Sequence, residues 1–423
     1  DQLNGSVNFN SNVRTGGGGV VASGISVHQA TGTVIETDGG IVDFSSGSSN
    51  ELGLSTLFLN DQVANAALPD ETVNPGIFID GTIDTSRPTD DPGVGGTITL
   101  KAEAVGIQTS QSGNDQVLVD TGRLELTSNA LLVSGGGSIT LAAGRRNSNN
   151  AGNALLDGAL LDSSRAILDD AGNVVRREGG DITIDASRLD PNDADLTSAD
   201  IAFVPTDSMN PLTSIDEGGR IEIQNGTTIR TRGGDLTIGS NATQTIAIQG
   251  VLNTTQSTIL TDESDDSIAS VDQDAVENGL LSIVAADASG IDVDAGRFGE
   301  SGITIGGAAD ATLISSGITI DARNVTFSGG TNTVTLLAAG DTRSTISTDL
   351  IGVAFEEGRT SFTNQNEIRV DGDYAVTFNE NTTLTAEQIT ISAAAAPEQR
   401  NESEIAAPTT TRLIFAGDDT NGT

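Results

Sequence analysis

Clusters of carboxylates are the residues of this chain that are best suited to chemistry. They lie within residues 262–266, 292–294 and 371–373. Calcium takes about six to eight oxygen ligands, and carboxylates are among the ligands it prefers. None of the clusters has the spacing of an EF-hand or of the glycine-rich calcium nonapeptide. Residue type alone therefore gives the candidate calcium ligands: Asp262, Glu263, Asp265, Asp266, Asp292, Asp294, Asp371 and Asp373.

The sequence contains almost none of the histidine and cysteine residues on which many catalytic and metal sites depend. His28 is the only histidine, and the chain has no cysteine. A Ser–His–Asp triad could be built only around His28 itself, and a histidine-based zinc site needs more histidines. His28 follows the apolar alternation of residues 25–27, so we expect it on the outer surface of a strand. We predict no catalytic and no cofactor-binding residue, and we do not expect an enzyme.

The net charge argues against two classes of partner. Fifty-nine acidic residues stand against 20 basic ones, which gives a net charge of −39. Such a field repels nucleic acid and anionic membranes. No stretch approaches the ~18 consecutive apolar residues of a membrane span. We expect no nucleic-acid partner and no membrane insertion. The acids either keep the surface hydrated in a salty medium or bind divalent cations.

A short phrase that recurs along the chain indicates the fold class. One or two glycines and a polar residue precede an apolar–polar–apolar triplet, which is typical of a turn followed by a short strand. Few windows show the 3.6-residue period of a helix. The sequence predicts an all-β protein, an elongated β-solenoid, and more specifically a right-handed parallel β-helix with loop inserts. The phrase occurs at 95–100, 136–141, 179–184, 218–223, 233–238, 301–305 and 316–320.

The spacing of the phrase suggests the size of a coil. Ile98 and Ile139 are 41 residues apart, and Ile139 and Ile182 are 43 apart, whereas Ile303 and Ile318 are 15 apart. We interpret the short step as part of a coil or a very short coil, and the long step as about two coils. About fifteen coils would then form a rod on the order of 70 Å, at ~4.8 Å per coil.

The chain divides into three regions. Residues 1–90 are predicted to form a β-rich N-terminal cap, residues 91–392 the solenoid core, and residues 393–423 a linker followed by a C-terminal strand. The open end of a solenoid exposes strand edges. The last strand is therefore expected either to cap the rod or to pair with the next molecule.

Polar inserts interrupt the solenoid core at residues 144–179, 187–217 and 261–278. The first of these is rich in arginine, and the last is acidic. Inserts of a solenoid project from one face or edge, where binding function usually lies. We therefore expect these segments either to bind a partner or to cover an edge of the rod.

Residues 221–231, which lead into the phrase at 233–238, resemble filamentous-haemagglutinin-type bacterial exoproteins. Related phrases occur in autotransporter passenger domains. The resemblance covers about residues 95–340 and rests on the style of the repeat. It implies a right-handed parallel β-helix, secretion, and an adhesive or scaffolding role.

These observations favour an extracellular or cell-surface protein with a structural or adhesive role. It would be a surface rod or the subunit of a self-assembling filament, joined by strand exchange, and its partners would be further copies, glycans or cell surfaces. One alternative is a polysaccharide lyase or hydrolase, because β-helices also host pectin-degrading enzymes, although their Gly-His-Gly element is absent here. Another is a passive glycan or ice binder with an outward threonine face: Thr97, Thr99, Thr140, Thr183, Thr237, Thr304 and Thr319.

Aromatic residues offer little material for a sugar-stacking platform. The chain has no tryptophan and one tyrosine, whereas carbohydrate sites usually present these two residue types. The phenylalanines are predicted to lie in the interior: Phe44, Phe58, Phe78, Phe327, Phe362 and Phe378.

Overall fold

The computed structural model of the chain is all-β, and the residues that it describes contain no helix. Within those residues no helix is therefore long and apolar enough to cross a membrane. The described residues are 6–24, 26–46, 76–88, 93–103, 105–111, 114–120, 122–144, 152–168, 174–187, 219–255, 279–286, 302–329, 332–338, 367–378, 382–385, 388–393 and 412–415.

Three successive strands make one coil, and each coil stacks on the one before it. Strands of the second coil pair in parallel with the corresponding strands of the first. The three strands of a coil define a first, a second and a third face. The first coil holds β1 Val7–Phe9, β2 Val13–Arg14 and β3 Val20–Gly24, and the second holds β4 Ser26–Gln29, β5 Val34–Glu36 and β6 Val42–Ser46.

The next three coils contain two antiparallel hairpins in addition to the three faces. Coil 3 holds β7 Gly76–Ile79, β8 Thr82–Asp84 and β9 Ile98–Ala102, and is followed by the hairpin of β10 Val105–Gln111 and β11 Asn114–Asp120. Coil 4 holds β12 Gly122–Leu126, β13 Leu131–Val133 and β14 Ile139–Ala143. Coil 5 holds β15 Gly152–Leu156, β16 Leu160–Asp162, the hairpin of β17 Ser164–Leu168 and β18 Val174–Gly179, and then β19 Ile182–Ala186.

The remaining coils continue the same three ladders. Coil 6 holds β20 Arg220–Ile223, β21 Thr228–Arg230 and β22 Leu236–Ile238, and coil 7 holds β23 Thr245–Ile248, β24 Gly250–Asn253 and β25 Leu281–Val284. Coil 8 opens with β26 Gly302–Gly306 and β27 Ala311–Ser315. The long strands β28 Ile318–Ser328 and β30 Glu367–Phe378 each turn a corner, from the third face of one coil to the first face of the next. The second face continues with β29 Val334–Ala338 and β31 Thr382–Thr385. The third face continues with β32 Gln388–Ala393, and the first face continues with β33 Arg412–Phe415.

The fold is thus a parallel β-helix, as the sequence predicts. The interpretation of the long step as about two coils is wrong, whereas the interpretation of the 15-residue step as part of a coil is confirmed. Ile98, Ile139 and Ile182 are direct partners in adjacent coils of the third face, so each long step is one coil. The 15-residue step joins the first and third faces of a single coil, since Ile303 lies in β26 and Ile318 in β28. The described strands trace ten complete coils. At ~4.8 Å per coil, these give a rod of about 50 Å.

Inward-facing residues form apolar columns that run the length of the rod. Alternation along each strand buries every second side chain, and Ile98, Ile139 and Ile182 are fully buried. Two stacked phenylalanine pairs extend the columns, with ring centroids 5.1 Å apart for Phe9 and Phe44, and 4.7 Å apart for Phe327 and Phe378. Each buried aliphatic side chain contributes about 1.5–3 kcal/mol relative to exposure, so these columns hold the coils together.

The structure confirms interior positions for Phe44, Phe327 and Phe378. The prediction for Phe78 is wrong, because this residue lies on the outer side of β7 and is only half-buried. Its ring stacks on that of His28 one coil earlier, with centroids 4.6 Å apart. Phe58 and Phe362 lie outside the described residues.

Where the recurring glycine pair leads into the third face, coil stacking requires its second glycine. A Cβ added to Gly96 would lie 2.0 Å from the carbonyl oxygen of Gly40, and one added to Gly180 would lie 2.4 Å from that of Gly137. Only a residue without a Cβ fits such an approach. The glycine column comprises Gly18, Gly40, Gly96, Gly137, Gly180, Gly234 and Gly279.

A column of hydroxyls lies beside the glycine column. The Oγ1 of Thr37 donates to the carbonyl oxygen of Gly40 at 2.5 Å, and that of Thr254 donates to Gly279 at 2.7 Å. These side chains are buried, so the bonds satisfy carbonyls that water does not reach. The same bond recurs in coils 1 to 8, with donors Thr15, Thr37, Thr85, Ser134, Ser163, Thr231, Thr254 and Ser315.

Strands of the coils lie within two of the predicted regions. Strands within residues 7–84, in the expected cap, make the first coils and belong to the same three ladders as the core. Residues 152–162 lie inside the expected insert 144–179, yet they form β15 and β16 of coil 5, so only 164–179 is a hairpin. The inserts at 187–217 and 261–278 fall almost wholly outside the described residues.

Candidate functional site

The connections between strands differ strongly among the three corners of the coil. At the corner between the first and second faces, every connection has only one to five residues. The corner between the second and third faces carries the segments 85–97, 163–181, 254–280 and 339–366. The corner between the third face and the next coil carries 47–75, 103–121, 144–151, 187–219 and 285–301. The long segments therefore attach along both edges of the third face.

The outer side of the third face presents a row of hydroxyls in exact register between these two edges. Thr99, Thr140, Thr183 and Thr237 are direct partners in four successive coils. Each of these side chains is half-buried, and the row repeats at ~4.8 Å, the spacing of the coils. Asp43 precedes the row, and Ser282, Thr319 and Arg369 continue it.

Two of the predicted outward threonines do not belong to this row. Thr304 lies on the first face, in register with Thr326, and Thr97 lies in the turn before β9. The second face carries its own row, in which Thr312 and Thr335 are partners. Threonine alone therefore does not distinguish the third face, whereas the inserts along both of its edges do.

The inserts at the corner between the second and third faces begin with a recurring hydrogen-bonded turn. The Oδ1 of Asp162 accepts bonds from the backbone N–H of Ser164 at 2.8 Å and from its hydroxyl at 2.6 Å. Asp84 with Ser86, and Asn253 with Thr255, repeat this turn. The three turns lie in coils 3, 5 and 7. Sequence reasoning missed them, although an Asp or Asn followed by two hydroxyl residues was a visible signal.

Arginines gather at this corner in coils 5 and 6. Arg165 of β17 pairs with Glu178 of β18, with Nη2 and Oε2 2.5 Å apart, and Arg177 on the same hairpin is half-buried. Arg230 and Arg232 lie in the next coil and are 8% and 3% exposed. Gly179 at the root of the hairpin packs directly on the turn that holds Arg232, because a Cβ there would overlap Thr231.

The candidate calcium ligands lie mostly outside the described part of the chain. Asp262, Glu263, Asp265, Asp266, Asp292 and Asp294 lie outside the described residues. Asp371 and Asp373 lie in β30, and Asp371 is in register with Asp321 of the preceding coil. Within the part of the chain that the structure describes, no group of three or more His, Asp or Glu residues is arranged to hold a metal ion. Calcium binding at these residues stays a prediction.

Asp80 and His28, which lie away from the third face, have shifted pKa values. Hydrogen bonds from Thr127, Thr31 and Asn129 to the Asp80 carboxylate lower its pKa, and they link three successive coils. His28 lies on the outer side of β4, as predicted, and is half-buried. Burial lowers the pKa of His28, because it disfavours the charged imidazolium.

The chain was compared with protein-family models, curated proteins and solved structures. No family model, no curated protein and no solved structure matches this chain.

Proposed function

We propose that this chain is an extracellular adhesive protein in which a rigid β-helical rod presents the third face to glycans of a cell surface. One observation carries the proposal: the long inserts attach along the two edges of the third face, whereas the corner between the first and second faces has only short connections. Binding function in solenoids usually lies on the face that carries the insertions.

The chemistry of the third face suits a polar ligand. Hydroxyls of Thr99, Thr140, Thr183 and Thr237 repeat once per coil, and each can donate or accept a hydrogen bond. The coils beneath are held by buried apolar columns and by the hydroxyl and glycine columns, so the row is preorganised. The similarity of the repeat phrases to filamentous-haemagglutinin-type exoproteins supports secretion and an adhesive role.

A panel of immobilised glycans tests the proposal. The full chain, at physiological salt with calcium present, is expected to bind a subset of the panel and to release no sugar product. Binding to no glycan contradicts the adhesive proposal. Release of unsaturated uronate from pectin or alginate would instead support the alternative of a polysaccharide lyase.

The filament form of the proposal concerns the last strand. β33 pairs in parallel with the second half of β30 in the same chain, with Phe378 opposite Phe415. This pairing supports a capping role for β33 and makes the adhesive rod the stronger form of the proposal. Negative-stain electron microscopy distinguishes the two: isolated short rods fit the adhesin, and long fibres of regular repeat fit the filament subunit.

A further inference from the structure

Carboxylates flank the hydroxyl row of the third face on both sides in coil 5. Asp181 immediately precedes β19 and Asp185 lies within it, so each is two residues from Thr183 of the row. The three side chains point to the same outer side, because Ile182 and Ile184 between them are fully buried. The Cα atom of each aspartate therefore lies two strand rises, ~6.6 Å, from that of the threonine.

The next coil repeats the carboxylate that precedes the row. Asp235 immediately precedes β22 and holds the position of Asp181 one coil later, since Ile182 and Leu236 are partners. Both aspartates are exposed, and their backbones are one coil apart, ~4.8 Å. Like charges at facing positions of neighbouring strands repel each other. A cation that contacts both carboxylates would relieve this repulsion.

These carboxylates keep acceptor sites for a ligand. The Oδ1 of Asp181 accepts the backbone N–H of Asp235 at 2.9 Å, and the Oδ1 of Asp235 accepts that of Leu280 at 2.8 Å. The Oδ1 of Asp185 accepts two hydroxyl hydrogen bonds. All these donors are neutral, and within the described residues no salt bridge reaches the three aspartates. An ionised carboxylate accepts hydrogen bonds on both of its oxygens, so the Oδ2 side remains for a ligand.

The charge around the row is negative. Lys101 is the only base among the outward residues of β9, β14, β19 and β22, and it lies two coils, ~10 Å, from Asp185. The arginines of the adjacent corner have partners of their own, as Arg165 has in Glu178. The whole chain carries a charge of −39. The field at this face therefore attracts a cationic ligand and repels an anionic one.

We propose that the ligand of the third face is a polysaccharide with free amino groups, whose hydroxyls meet the threonine row and whose ammonium groups meet Asp181 and Asp235. This inference rests on the proposed function and adds the chemical class of the ligand. Hydrogen bonds between ammonium and carboxylate groups are charge-assisted and stronger than neutral ones. Acids alone would attract any cation, whereas a hydroxyl row between carboxylates suits a sugar that carries both groups.

The test compares an oligomer of glucosamine with the same oligomer after N-acetylation, which removes the positive charge and keeps the hydroxyls. The full chain is used at physiological salt. Exposed ion pairs are individually weak, so the contacts together should favour the amine form by about tenfold. We expect this preference to vanish near 1 M salt, where the Debye length is about 3 Å. Equal binding of the two oligomers overturns the inference.

Polylysine distinguishes a glycan from other polycations, because it carries ammonium groups without sugar hydroxyls. With the same number of ammonium groups, polylysine is expected to bind more weakly than the glucosamine oligomer. Equal or tighter binding of polylysine overturns the assignment to a glycan.

Paired variants locate the charge effect. Asp181→Asn with Asp235→Asn removes two charges but keeps the Oδ1 acceptors of the backbone N–H groups, so the fold should be retained. This double variant is expected to lose the preference for the amine form and to keep its affinity for the acetylated form. The control is Asp157→Asn with Glu222→Gln, which removes two charges from exposed side chains of the same coils, away from the third face. An equal loss in the control shows attraction by the net charge alone and overturns the inference.

The salt dependence of the unsubstituted chain needs no variant, so it decides the question even if a substitution impairs folding. Binding of neutral glycans alone leaves the proposed function standing and overturns the inference. Binding of no glycan overturns both.

Discussion

A Cβ added to Gly137 would lie 2.3 Å from the carbonyl oxygen of Gly96, which holds the same position one coil earlier. This contact explains why the phrases that lead into the third face need their second glycine. The requirement comes from coil stacking and not from backbone torsion, because Gly137 is not among the positive-φ residues.

Gly137→Ala is therefore expected to destabilise the rod by about 1–3 kcal/mol, the usual cost of overpacking. Gly18→Ala is the matched control, because Gly18 holds the same position in the first coil and its added Cβ would meet only Thr15 at 3.6 Å. Urea unfolding followed by circular dichroism measures both. Equal stability of the two variants would show that the coils are not in this register.

The buried hydroxyl column makes a second prediction about stability. Thr231 is fully buried and donates its hydroxyl to the carbonyl of Gly234. Thr231→Val keeps the shape and leaves that carbonyl without its bond, so we expect a loss of about 1–3 kcal/mol. Thr228→Val, at a half-exposed position on β21, should change the free energy of unfolding by less than about 0.5 kcal/mol. The same urea titration measures both variants. An unchanged free energy of unfolding for Thr231→Val would show that the hydroxyl column does not stabilise the fold.

We expect the corner between the second and third faces to close in the same way in coils with and without an insert. The tight turn of coil 2 places Asp38 at φ 52° and Gly39 at φ 95° between Thr37 and Gly40. In coil 7, Thr254 and Gly279 make the same hydrogen bond around a long insert. Replacement of residues 255–278 by the dipeptide Asp-Gly should therefore leave cooperative thermal unfolding intact. Replacement by Val-Val should not, because β-branched residues rarely adopt positive φ. Loss of the fold in both variants would contradict the account.

His28 allows a direct test of the outer side of the first face. It is the only histidine, so nuclear magnetic resonance follows its titration without assignment by mutation. Burial beside Phe78 lowers its pKa, so the midpoint in the folded chain should fall below the ordinary value of about 6.5. The unfolded chain binds this proton more readily, so stability should decrease as the pH drops through this range. A midpoint equal to that of the chain in denaturant would contradict the stacked arrangement.

The fold class could be predicted from the sequence because turn glycines and alternating strands leave a local signal. The coil size could not, because the same phrase precedes strands of two different faces: Gly219 leads into β20 on the first face, and Gly137 leads into β14 on the third. Inserts also lengthen some coils and not others. Phe78 shows the same limit, since alternation indicates which residues share a side but not which side is inward.

The candidate site was harder to predict for a related reason. The threonines of the row are visible in the sequence, but Thr304 looks the same and lies on another face. Only the assignment of strands to coils shows that the inserts attach along two edges of one face. That assignment depends on pairing between residues that are far apart in the chain.

The most direct measurement compares the two threonine rows. Thr140 and Thr183 are partners on the third face, and Thr312 and Thr335 are partners on the second, all four half-buried. For a glycan bound by the full chain, the dissociation constant would be measured after each row is changed from Thr to Gln at its two positions. We predict at least about tenfold weaker binding for the third-face pair and no change for the second-face pair. Equal affinities in the two variants would contradict the claim that the third face is the binding surface.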